Sequence, residues 1–104
     1  MANYRITICA RFRDGTTNET VSVHHANLVP LEAVGRAVRK HYGRGAYFRT
    51  GRQEPTGGNV IAGTIARDQP FKRAPFGAEL VGSVETMILA HAVATVTHHR
   101  KVRP

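Results

Sequence analysis

The first residues of the chain alternate strictly between apolar and polar positions. Tyr4, Ile6, Ile8, Ala10 and Phe12 fall on one side of an extended segment, and Arg5, Thr7, Cys9, Arg11 and Arg13 fall on the other. A period of two is what a strand with one face in the core produces. Asp14-Gly15 supplies a turn, and Glu19 to His25 alternates again, with Val21 and Val23 set against Thr20, Ser22 and His24. Together the two segments predict an antiparallel hairpin, its turn lengthened by polar Thr16, Thr17 and Asn18.

From Pro30 the period changes. Leu31, Val34, Val38 and Tyr42 recur at helical spacing, and a proline in the first turn needs no backbone donor there, so a helix is predicted over 30–42. Gly43 and Gly45 supply the positive φ angles that stop it. Ala46 to Thr50 is aromatic and strand-like, and Asn59 to Arg67, rich in Val, Ile and Thr, reads as a second strand paired with it. The segment 51–58 between them has too few apolar residues to pack, which predicts a mobile loop. Pro70, Pro75 and Gly77 break the next stretch, from which Phe71 and Phe76 are expected to tuck into the core.

The last element is ambiguous in pattern. Leu80, Val84, Met87, Ile88, His91 and Thr95 recur at spacings of three and four, and Ala90, Ala92 and Ala94 have high helix propensity. The rival reading takes AVATVTHHRKV as a strand, because Val93, Thr95 and Thr97 alternate. Length favours the helix. The order is then β-β-α-β-β-α in a single small α+β domain spanning residues 1–104, with a mainly antiparallel four-stranded sheet and two helices on one face. The two halves repeat in topology but share no residue pattern, so an internal duplication has no support.

Composition bounds the chemistry. An apolar share of 41% and a charged share of 21% in 104 residues are ordinary values for one folded domain. One cysteine excludes an internal disulfide framework, and no Cys-x-x-Cys pair is present for a structural zinc. The first residues lack an apolar export signal, and the mostly apolar run Met87 to Val96 is far shorter than the ~20 residues of a spanning helix, so no membrane association and a cytoplasmic location are expected.

Charge changes the picture most. Fifteen Lys plus Arg against seven Asp plus Glu give +8, and twelve of the fifteen are Arg, whose planar fork grips phosphate at two points. Polyanions therefore lead the list of partner classes, although net charge alone speaks to association and not to fold. With the helices on the Tyr4, Ile6, Ile8 side, the opposite sheet face is expected to present Arg5, Arg11 and Arg13, joined by Thr20, Ser22 and His24. Such a face meets the recurring phosphates of a nucleic acid, but only Tyr47 or Phe48 offers an aromatic for base stacking. Arg36, Arg39 and Lys40 form a second stripe on the helix, continued by Arg44. Arg49 and Arg52 at the loop, and Arg67, Lys72 and Arg73 at the following link, add exposed cations. A basic tail over 98–104 brings Arg100, Lys101 and Arg103 to a helix C-terminus, where they also complement the helix dipole.

Enzymatic and metal chemistry find little footing. Neither GxxxxGK[ST] nor GxGxxG occurs. Of the six histidines, the adjacent pairs His24-His25 and His98-His99 point to opposite faces if extended, and His91 and His98 on one helix face are ~10 Å apart in rise, so no metal or cofactor is expected. Cys9 has cationic neighbours that favour a thiolate, with His24 on the paired strand as the nearest base. The carboxylates Asp14, Glu19, Glu32, Glu54, Asp68, Glu79 and Glu85 are scattered. The expectation is a small, non-enzymatic nucleic-acid-binding accessory or regulatory protein, for DNA or RNA, contacting phosphates through arginine. The alternative is a protein-interaction module, a homodimer or an inhibitor that docks on an acidic protein or a nucleoprotein complex.

Overall fold

β1 (Ala2–Phe12) and β2 (Thr17–Ala26) form the hairpin that the alternation predicts, in continuous antiparallel register. The computed structural model describes residues 2–50, 59–70 and 84–99. The reversal is tighter than expected. The Gly15 N–H donates to the Phe12 carbonyl and the Phe12 N–H to the Thr16 carbonyl, Gly15 takes a φ of 89°, and Asp14 accepts from both the amide and the hydroxyl of Thr16. Thr17 and Asn18 are therefore already strand.

Register decides which side of β2 is covered. Tyr4 faces His24, Ile6 faces Ser22 and Ile8 faces Thr20, and residues directly opposite in an antiparallel pair share a face. Thr20, Ser22 and His24 thus lie on the same side as Ile6 and Ile8, while Val21 and Val23 lie with Arg5, Thr7 and Cys9. This corrects the sequence expectation, which joined Thr20, Ser22 and His24 to the arginines. Alternation within one strand fixes two faces and leaves their assignment to the pairing.

The helix α1 (Leu31–Tyr42) covers that Ile6 and Ile8 side. Ala33, Val34, Ala37 and Val38 are buried in one core with Ile6, Ile8, Ala10, Ile61 and Ile65. Its start is held by Glu32, whose carboxylate accepts from the backbone N–H groups of Asn27, Leu28 and Val29. Its end is closed at Gly43, where φ is 108° and the N–H donates to the Arg39 carbonyl, and the Arg67 guanidinium donates to the Tyr42 carbonyl at 3.3 Å. That last bond gives Arg67 a structural role.

β3 (Ala46–Arg49) and β4 (Val60–Pro70) pair antiparallel, as expected. The final element departs from expectation. Residues Val84–His98 are a strand, β5, paired with β1 on one side and β4 on the other. The described residues thus build a five-stranded antiparallel sheet, order β2-β1-β5-β4-β3, with one helix, in place of a four-stranded sheet with two helices. The alanines are the reason the pattern misleads. Ala90, Ala92 and Ala94 alternate inward and are buried in the core that α1 shares, although alanine by propensity favours helix. One irregularity accompanies them: Ile65 faces Ala90 and Ala66 faces Ile88, so Leu89 is an extra residue and packs against the core.

Among the described residues no helix is long and apolar enough to cross a membrane. The loop expected near 51–58 with Arg52, the link carrying Phe71, Lys72, Arg73 and Phe76, and tail residues 100–104 lie outside the described residues.

Candidate functional site

Because α1 buries Ala33, Val34, Ala37 and Val38, its cations are displaced to the flank beside β2. Arg36, Arg39, Lys40 and Arg44 there line a surface groove of about 630 Å³ together with His24 and His25, with Asn3 and Val23 completing the wall. Among the described residues no carboxylate belongs to this lining. None of the four cations enters an ion pair among the described residues, and the Arg36 Nε is buried without a hydrogen-bond partner among them. Glu32, one turn before Arg36, is committed to three backbone amides.

The histidines record the resulting field. Ser22 is 8% exposed, and its hydroxyl lies 2.7 Å from the His24 Nε2 and 3.1 Å from the His41 Nε2. A hydroxyl has one proton, so between two neutral rings it donates to one and accepts from the other. Burial holds the His24 pKa below the ordinary histidine value, and repulsion from Lys40, His41, Arg36 and His25 lowers it further. The protein here concentrates positive charge that Glu32 offsets only in part, through its interaction with Arg36.

Of the sequence candidates, the groove brings together His24, Arg36, Arg39, Lys40 and Arg44. Arg5 and Arg11 lie on the uncovered sheet face instead, and exposed Arg13 belongs to the turn. Between Arg5 and Arg11 that face is mainly apolar and hydroxylic: Cys9 faces Glu19 and Val93, Thr7 faces Val21 and Thr95, and Val21, Val23, Val60 and Val93 are exposed. It is not the continuous basic surface expected from β1 alone. A second depression on it, about 600 Å³, is lined partly by Cys9, Arg11, Glu19, Ala62, His91 and Val93 and so contains a carboxylate. Arg49 is exposed at the far edge, opposite Thr64.

Three further expectations are corrected. Cys9 and His24 lie on opposite faces of the sheet, so they form no nucleophile and base pair. His91 and His98 do not share a helix face: His91 faces Arg11 on the uncovered side, while the His98 ring lies 4.7 Å from that of Tyr4. Neither aromatic offered for stacking is free. Phe48 packs against the core across Gly63, and the Tyr47 hydroxyl donates to Asp68 Oδ1 at 2.7 Å, a bond that pushes the phenol pKa up. Among the described residues no group of three or more His, Cys, Asp and Glu side chains converges.

Sequence reasoning named Ser22 beside His24 but missed His41, whose Nε2 lies 3.1 Å from the Ser22 hydroxyl. Its signal was present in principle, since residues 37 and 41 are one turn apart and Ala37 is an inward position. Compared with known proteins, the chain matches no protein family, no curated protein and no solved structure.

Proposed function

We infer that this protein is a small, non-enzymatic nucleic-acid-binding accessory or regulatory factor that meets phosphates through the groove between α1 and β2. The observation that carries the reading is the convergence of Arg36, Arg39, Lys40 and Arg44 with two histidines, with no carboxylate among the described lining residues. Arginine forks and a lysine at helical spacing suit successive phosphates, and each contact releases condensed counterions. The absence of a free aromatic beside them among the described residues favours backbone contact over base stacking.

The test is fluorescence anisotropy with labelled single- and double-stranded DNA and RNA at low and physiological salt. Salt-dependent binding by the native chain, lost in Arg36→Glu/Lys40→Glu and largely kept in Arg11→Glu/Arg13→Glu, supports the groove as the contact. Equal loss in both double variants moves the contact to non-specific charge, and binding that ignores salt overturns the reading.

A further inference from the structure

β2 is an edge strand: among the described residues it has β1 on one side and nothing on the other. The hairpin fixes which of its backbone groups are free. The Phe12 N–H bonds to Thr16, and bonding pairs recur every second residue, so Thr20, Ser22 and His24 turn their amides toward β1. Val21, Val23 and His25 then direct N–H and C=O outward. Edge strands are normally blunted by proline, lysine or a bulge, yet Thr17–Ala26 contains none of these and pairs without interruption. Among the described residues the charge along this edge comes from Glu19 and from the helix cations, and the cations repel positive partners.

We propose that the outer edge of β2 accepts an extended acidic segment of a protein partner as a sixth strand. The free backbone groups supply the ladder, and the two sides of the edge supply a sequence preference. On the covered side, carboxylates of the added strand meet His24, Arg36 and Lys40. On the uncovered side, alternate residues lie beside Val21 and Val23, which are 54% and 42% exposed and favour β-branched neighbours. The matching segment therefore alternates acidic and β-branched residues. A second copy of this chain is a poorer occupant, because it brings the same cations and a net charge of +8. The inference uses the groove's cations but does not depend on nucleic acid binding to them.

The probe is a synthetic peptide alternating Glu and Val over about nine residues, a usual strand length, with a Lys-for-Glu version as control. Binding is read by NMR on the intact chain, with hydrogen exchange of the Val21, Val23 and His25 amides as the marker of ladder formation. The acidic peptide is expected to bind and protect those three amides; the lysine peptide is not. Val21→Pro removes an outward N–H at a position outside the groove lining and leaves every cation in place. It should lower peptide affinity about tenfold while leaving oligonucleotide affinity unchanged, whereas Arg36→Glu/Lys40→Glu lowers affinity for the peptide whatever the fate of the oligonucleotide reading. Should Val21→Pro fold poorly, amide protection in the native chain decides. Peptide binding without protection of those amides overturns the proposal, as does a native chain that sediments as a dimer and is dissociated by Val21→Pro.

Discussion

Gly63 has no room for a side chain. A Cβ built there would lie 2.5 Å from the Arg49 carbonyl oxygen and 2.6 Å from the Phe48 ring, and the first of these is backbone that cannot swing away. Gly63→Ala must therefore displace β3 or expel Phe48 from the core. A loss of about 1–3 kcal/mol is expected from urea unfolding, the range for overpacking a closed site. At Gly43 the nearest atom to a Cβ is the end of the flexible Arg67 side chain, so there the φ of 108° sets the cost instead. His24 is the residue whose chemistry reports the groove. A histidine with a lowered native pKa leaves the native state short of protons relative to the unfolded chain. Its contribution to stability is complete above the unfolded value, about 6.5, and declines as pH falls from there through the native value. An anion in the groove opposes the repulsion from Lys40 and Arg36. Proton NMR should place the His24 midpoint below that of a free histidine, and a saturating oligonucleotide should raise it; a midpoint that does not respond would place the anion elsewhere.

At the scale of elements, the strands and helix that read correctly were those whose pattern has one explanation. β1 shows strict alternation because one face is core and the other is not, and α1 shows its three-four spacing for the same reason. β5 lies between two strands with alanines on its buried inward side, and alanine is the residue that local propensity assigns to helices. Its strand state comes from ladders to residues 14–35 and 78–94 positions away, most of them beyond any local window. α1 depends on Glu32 in an equally specific way. Three backbone amides hold its carboxyl below the ordinary glutamate value of 4.5, and they also fix the segment that carries exposed Leu28 and Val29. A lowered carboxyl pKa contributes stability that is present above the unfolded value and lost as pH falls through the native one. Glu32→Ala should lower the thermal midpoint at pH 7, and the gap to the native chain should narrow once pH drops below the carboxylate range. A gap that stays constant down to acid pH would assign the effect to helix packing.

Across the whole molecule, the sum of charge was legible and its distribution was not. Twelve arginines raise the expectation of a polyanion partner from composition alone. Their grouping required the register that set His24 on the covered side, and the inward turn of Val34 and Val38 that pushed Arg36 and Lys40 toward it. β1 by itself pointed to Arg5 and Arg11, which the folded sheet leaves at separate points of a largely apolar face. The distribution has a thermodynamic signature. If the four groove cations Arg36, Arg39, Lys40 and Arg44 each neutralise one phosphate, log K against log salt falls with a slope of about −3.6 on duplex DNA and about −2.8 on a single strand. Arg36→Gln/Lys40→Gln removes two contacts and should flatten the duplex slope by about 1.8, while Arg11→Gln/Arg13→Gln should leave it unchanged. A slope near the full +8 charge would mean that the chain binds as a diffuse cation, with no part of its surface preferred.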